Sequence, residues 1–97
     1  MRIRTMSSKD LNFAAGLVAA ENWLSETRAT FEAFLARDRD GCFVAEAGGN
    51  RIGMCVATNY GDYGFLGELI VLPEYRNRGY GRQLLAVSYT HLTLPTN

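Results

Sequence analysis

The sequence is poor in lysine, histidine, cysteine, proline and long apolar runs, and each shortage narrows what the chain can be. Lys9 is the only lysine against nine arginines, and His91 is the only histidine. The formal net charge is zero, so no global field draws the chain to nucleic acid or to a membrane surface. Cys42 and Cys55 are the only cysteines, and they sit inside the apolar stretches CFVAEA and IGMCVA. No His or Cys stands near them at ligand spacing, so they form no metal site. They read as buried free thiols of a protein in a reducing compartment. No stretch approaches the roughly 20 apolar residues of a membrane-spanning helix. The N-terminus MRIRTMSSKDLN has no apolar signal core. The expectation is a cytoplasmic protein with no metal, no nucleic-acid partner and no membrane partner. Its 97 residues suffice for one small domain.

Hydrophobic periodicity then gives an order of elements. RIRTM (Arg2–Met6) alternates as a short strand. Ser7 and Asp10 form a capping-box pattern before a helical segment. In that segment Phe13, Leu17, Ala20 and Leu24 share one stripe, and Leu11, Ala14, Ala15 and Val18 another. Ser25 or Thr27 can cap a second helix, buried through Phe31, Phe34 and Leu35 and stopped at Gly41. CFVAEA and RIGMCVATN flank Gly48-Gly49-Asn50, a hairpin signal. NYGDYG is the next turn. FLGELIVL (Phe65–Leu72) follows as a strand with little polar relief, expected to be covered on both faces. Gly67 inside it points to a bulge or a close backbone approach. A helix opens at GRQLLA. The result is an α+β, three-layer fold of order β-α-α-β-β-β-α with a mostly antiparallel sheet.

The chemistry concentrates in one loop. Three arginines and two glycines crowd into the seven residues Arg76–Arg82, straight after the apolar strand. A strand, a glycine-bearing turn and a helix start make an anion seat. The first turn of a helix leaves four N–H groups unpaired at the positive end of its dipole. Gly79 and Gly81 have no Cβ, so a phosphate can approach the backbone. Arg76, Arg78 and Arg82 add forked donors suited to phosphate oxygens. The segment lacks the GK[ST] of a P-loop. It also lacks the third glycine and early βαβ placement of a dinucleotide fingerprint.

What stands there is R-x-x-G-x-G after a V-x-P-x-Y strand end. LIVLPEYRNRGYGRQLL resembles the coenzyme-A-binding segment of the GNAT family of N-acetyltransferases, and the element order agrees. The likeness covers Met1 to about Leu85. It implies that the backbone of Leu69, Ile70 and Val71 pairs with the pantetheine arm of acetyl-CoA, the co-substrate. It implies that Arg76, Asn77, Arg78, Gly79, Tyr80, Gly81 and Arg82 hold the diphosphate. It implies direct attack by a primary amine on the thioester, with Glu68 resembling the strand carboxylate that deprotonates the amine in some members. The acceptor would border the ENWLSETRAT loop, where Glu21 and Glu26 stand.

The chain departs from that family after the last helix opens. No residue after Arg82 carries a formal charge, and composition shifts at about Val87. VSYTHLTLPTN resembles an adapter read as protein. The expectation is therefore a partial N-acetyltransferase domain over 1–86, with its C-terminal strands missing, and a non-native tail over 87–97 that contributes little packing. Such a chain would bind coenzyme A weakly at best, would not turn over, and would expose FLGELIVL as an edge open to homodimer pairing. Two other functions fit the sequence: a non-catalytic coenzyme-A or phosphate-binding module, and an interaction protein that uses an open strand edge.

Overall fold

Four strands and three helices, linked by short 3₁₀ turns, make up the computed structural model, which describes residues 1–23 and 25–93. The strands are β1 (Arg2–Thr5), β2 (Cys42–Ala47), β3 (Asn50–Asn59) and β4 (Gly64–Val71). The helices are α1 (Leu11–Ala20), α2 (Arg28–Asp38) and α3 (Tyr80–Thr93). The strands form one antiparallel sheet in the order β1-β2-β3-β4. The element order and fold class are those the periodicity predicts.

The sheet's two faces carry separate cores. Phe31 and Leu35 of α2 and Leu11, Ala14, Leu17 and Val18 of α1 meet Val44, Met54, Val56 and Ile70 on one side. Leu84 of α3 meets Ala45, Ile52, Cys55 and Val71 on the other. Phe31, Val18, Met54, Val56 and Leu84 are fully buried, and each such side chain contributes about 1.5–3 kcal/mol of transfer free energy. Ala20 faces solvent, and Leu24, expected on the same stripe, lies outside the described residues. Burial pushes the Cys42 thiol up to about 12, and it raises Cys55 too. Both are inert packing residues.

Local signals account for the joints. Ser7 accepts from the Lys9 N–H, and Asp10 accepts from the Ser7 N–H at 2.8 Å, the reciprocal pattern read from the sequence. Thr27 caps α2, with Thr30 Oγ1 accepting from the Thr27 N–H at 3.0 Å. Gly48 and Gly49, both at positive φ, form the two-residue β2–β3 loop. Gly41 has a different role from the predicted helix stop. The helix ends at Asp38 and a 3₁₀ turn follows, while a Cβ at Gly41 would collide with the Ala57 carbonyl.

β4 is covered on both faces, as expected: Phe65, Ile70 and Leu72 pack with the α1/α2 core, and Leu66, Leu69 and Val71 pack with Leu84 of α3. It pairs with β3 alone, so its other edge carries no strand among the described residues. One further expectation is corrected, that the segment after Ala86 adds little packing: α3 runs through Val87 to Thr93. Ser88 is fully buried, Leu92 packs on Gly64, and His91 Nε2 lies 2.8 Å from Asp38 Oδ2. Threonine is tolerated there because its hydroxyl finds a backbone acceptor: Thr90 donates to the Ala86 carbonyl and Thr93 to the Thr90 carbonyl.

Candidate active site at the end of β4

The site begins with an irregularity. Along β3 the partners step from Met54 to Val56, two residues, while along β4 they step from Ile70 to Gly67, three. β4 therefore carries one extra residue, a bulge, next to the glycine that signalled it. Glu68 occupies the bulge at φ +55°, a conformation that costs a non-glycine residue on the order of 1–2 kcal/mol. Its Oε2 is buried and has no hydrogen-bond partner. Burial raises the pKa of the Glu68 carboxyl, and the charge of Glu26 raises it further. A carboxyl group held in this way is better suited to taking a proton than an ordinary surface glutamate.

Beyond the bulge, Leu69 and Val71 pack toward α3, and Ile70 packs toward α1 and α2. Their side chains go to the cores, so what they offer at the open edge is backbone. β4 then ends in a 3₁₀ turn, Pro73–Tyr75, and the arginine loop leads into α3. Asn77 and Gly79 are left-handed, at φ +65° and +82°. Gly79 is the position where glycine is required by conformation. The first bond of α3 runs from the Gln83 N–H to the Gly79 carbonyl at 3.2 Å, so the N–H groups of Tyr80, Gly81 and Arg82 precede the ladder. A cavity of about 280 Å³ lies against this helix start, lined by Val71, Tyr75, Arg76, Asn77, Gly79, Tyr80, Gly81 and Arg82.

The arginines divide the work. Arg76 turns inward: its Nε donates to the Val71 carbonyl at 2.7 Å and its Nη2 to Glu21 Oε1 at 2.5 Å. It ties the end of β4 to the end of α1, and its charge is already matched by Glu21. Arg78 lies over the Tyr75 ring at 5.4 Å and donates to the Glu74 carbonyl. Arg82 is exposed on the first turn of α3 and has no ion pair among the described residues. Of the loop residues singled out from the sequence, Arg76, Asn77, Gly79, Tyr80, Gly81 and Arg82 line one cavity and Arg78 does not. The sequence gives no hint that Arg76 is spent on structure; Glu21, its partner, is 55 residues away. No group of side chains that could hold a metal occurs among the described residues. No helix among them is long and apolar enough to cross a membrane.

Comparison with known proteins settles the family. The sequence model of the acetyltransferase (GNAT) family matches residues 5–92. The chain belongs to the GNAT acetyltransferase family. A search of the curated proteins found no match. Among solved structures, the chain is similar to the aminoglycoside N-acetyltransferase AAC(6')-Iy in complex with CoA, at 31% identity and a TM-score of 0.72, over 95% of this chain and 70% of that one. It shares its fold with Ard1 from Thermoplasma volcanium (19% identity, TM-score 0.78, 94% of this chain and 62% of that one). It also shares it with N-acetylglutamate synthase from Neisseria gonorrhoeae, complexed with coenzyme A and N-acetyl-glutamate (23% identity, TM-score 0.79, 94% of this chain and 22% of that one). The chain therefore spans only part of these relatives. The family match also runs past Val87, over most of α3.

Proposed function

We propose that these residues form the coenzyme-A side of an N-acetyltransferase that moves an acetyl group from acetyl-CoA to a primary amine by direct attack. The observation that carries the reading is continuity: an open-edged, bulged strand runs straight into a glycine-bearing helix start with unpaired N–H groups. The co-substrate supplies an activated thioester. The N–H groups at the start of α3, with Arg78 and Arg82, hold its diphosphate. The free backbone edge of Leu69, Ile70 and Val71 lines up the pantetheine arm as an added strand would. At about 3.3 Å per residue, Glu68 stands roughly 10 Å back along β4 from Val71, on the acyl side of that arm.

Glu68 then takes the proton that a primary ammonium must lose before its nitrogen can attack. The amine nitrogen bonds to the acetyl carbon, the carbon–sulfur bond breaks with its electron pair going to sulfur, and the second proton that nitrogen loses on becoming an amide goes to the departing thiolate. A backbone N–H at the bulge faces the charge that develops on the acetyl oxygen. Holding both reactants on one edge supplies proximity. The 97 residues give one wall of this slot, so we expect binding without measurable turnover.

Calorimetric titration with coenzyme A tests the reading. The chain should bind, and Gly81→Glu should abolish binding, because a carboxylate would enter the diphosphate seat. The substitution is otherwise mild: a Cβ at Gly81 would meet only Val71 Cγ2, at 3.7 Å. Unchanged affinity in a folded Gly81→Glu variant would remove the loop from the site.

A further inference from the structure

We propose that Arg76 is a positioning residue: it caps the outward carbonyl of Val71 and so fixes the register in which a strand-like arm can lie along β4, while Glu21 holds the cap in place. The inference rests on the acetyltransferase reading above, and it gives Arg76 the arm of the co-substrate rather than its diphosphate.

The backbone at the end of β4 sets the problem. The Leu72 N–H donates to the Ile52 carbonyl at 2.8 Å, and the pairing continues as Gly53 with Val71 and Met54 with Ile70. Bonded and non-bonded pairs alternate along an antiparallel ladder, so the N–H and C=O of Val71 point away from β3, to the free edge. An open edge offers such groups to whatever pairs with it and permits more than one register. Arg76 removes that freedom at one place. Its Nε donates to the Val71 carbonyl at 2.7 Å, which leaves the Val71 N–H as the outward group at this position. An arm that bears amides must then bring a carbonyl, and not an N–H, to Val71.

The cap is held from behind. Arg76 Nη2 donates to Glu21 Oε1 at 2.5 Å. Glu21 is in turn fixed by the stop of α1: the Asn22 N–H bonds to the Ala19 carbonyl and the Trp23 N–H to the Val18 carbonyl, both at 3.0 Å, with Asn22 at φ +60°. These are the paired bonds of a left-handed helix end. The Arg76 N–H bonds to the Pro73 carbonyl at 3.2 Å, so the guanidinium spans two ordered pieces of backbone. Arg76 also lines the cavity at the start of α3, which makes direct phosphate contact the rival role. The charge balance disfavours that role. Glu21 already matches the Arg76 charge, whereas Arg82 has no ion pair among the described residues.

NMR titration of the ¹⁵N-labelled chain with two probes separates the roles: coenzyme A, which has the arm, and ADP, which has a diphosphate and no arm. Arg76→Gln should weaken coenzyme A about threefold to tenfold, the span of one hydrogen bond, and leave ADP within about twofold. Arg76→Lys keeps the charge beside Glu21 but not the planar fork, and should lose affinity for coenzyme A as the glutamine variant does. Equal losses for the two probes would make Arg76 a phosphate ligand, and wild-type affinity in the lysine variant would make it a bare charge; either result overturns the proposal. A second measurement needs no ligand. The Arg76 Nε–H should exchange slowly with water in the wild type and faster in Glu21→Gln, where spectral dispersion reports that the variant is folded. Fast exchange in the wild type, or equal exchange in the two, would overturn the cap. Failure of the wild type to bind coenzyme A would instead overturn the acetyltransferase reading, while the exchange rates still decide whether Arg76 is held on Val71.

Discussion

The two edges of the sheet solve the problem of a buried carboxylate in opposite ways. Near β1, Asp10 is fully buried, and every direction from it meets a donor. Arg4 Nη1 and Nη2 each reach it at 2.8 Å, Arg51 Nε at 2.7 Å, and the Ser7 N–H at 2.8 Å. Arg4 also pairs with Glu46 at 3.2 Å. The Arg4 guanidinium holds the Asp10 carboxyl well below the usual carboxylate range. At β4, Glu68 keeps a buried oxygen with no donor and a raised pKa. The first arrangement is complete in itself. The second leaves an oxygen without a donor, in the bulge of a strand whose last residue, Val71, lines the cavity at the start of α3. A satisfied charge cluster fixes the fold, and an unsatisfied carboxylate on a strained backbone marks a candidate site of chemistry.

Breaking the first edge should have the largest effect. Asp10→Ala takes Arg51's partner, leaves Arg4 with Glu46 alone and removes the acceptor of the Ser7 N–H; it should cost about 3–5 kcal/mol, as loss of one partner from a buried charge cluster does. Urea unfolding will measure it, and a cost under 1 kcal/mol would mean that the cluster is ornamental. Because the folded pKa of Asp10 is depressed, its stabilisation is fully present above the ordinary carboxylate value of 3.8. It is lost progressively as pH falls below that value, so a shallow acid limb in the wild type would contradict the assignment. Removing residues 87–97 comes next. It deletes buried Ser88, the Leu92 contact with Gly64 at the start of β4, and the His91–Asp38 bond. The loss should be about 2–4 kcal/mol from buried surface alone, visible as a lowered melting temperature. An unchanged melting temperature would restore the expectation that this segment does not matter to packing.

The contrast extends to association. β1 carries Arg2 and Arg4, charges that discourage edge pairing, whereas β4 offers an apolar run with one glutamate. Sedimentation should show a mass that rises with concentration and falls again when coenzyme A covers the β4 edge. A monomer at all concentrations would show that the bulge alone keeps partners away. The smallest effect is expected at Glu68. Its folded pKa is raised, so its ionised form is a burden that appears as pH climbs above the ordinary value of 4.5. Glu68→Gln should therefore be slightly more stable than the wild type at neutral pH, with the difference vanishing toward pH 4.5. A destabilised variant at neutral pH would mean that the carboxylate has a partner after all.

What could be read from the sequence follows the range of the interactions. Helices and hairpins depend on neighbours three, four or two residues apart, so Phe31 and Leu35 on α2 and the Gly48-Gly49 turn were legible. The glycine-bearing helix start was legible for the same reason, because Gly79, Gly81 and the arginines lie together. Gly67 announced the bulge but not which residue would occupy it. The Asp10 cluster was not legible beyond its capping box, since Arg51 is 41 residues away and only the assembled sheet brings it near. The inward turn of Arg76 and the packing of α3 past Val87 were hidden likewise. An uncharged, threonine-bearing segment looks indifferent until Gly64 and Asp38 are placed beneath it.

The bulge at Glu68 also acts as a frameshift written in side chains. Ile70 and Leu72 face the α1/α2 core while Leu69 and Val71 face α3, yet before the bulge the parity is reversed, with Phe65 toward α1/α2 and Leu66 toward α3. One inserted residue inverts the inside-outside code of half a strand. Phe65 stacks on Phe34 at 5.6 Å only in the shifted frame. Deleting Glu68 would therefore do more than remove a carboxylate. It would rotate the first half of β4 by one position, eject Phe65 from the aromatic stack, and turn a local chemical lesion into a global folding one. The unusual backbone that carries the carboxylate is the same device that keeps the strand's two halves in phase with their two cores.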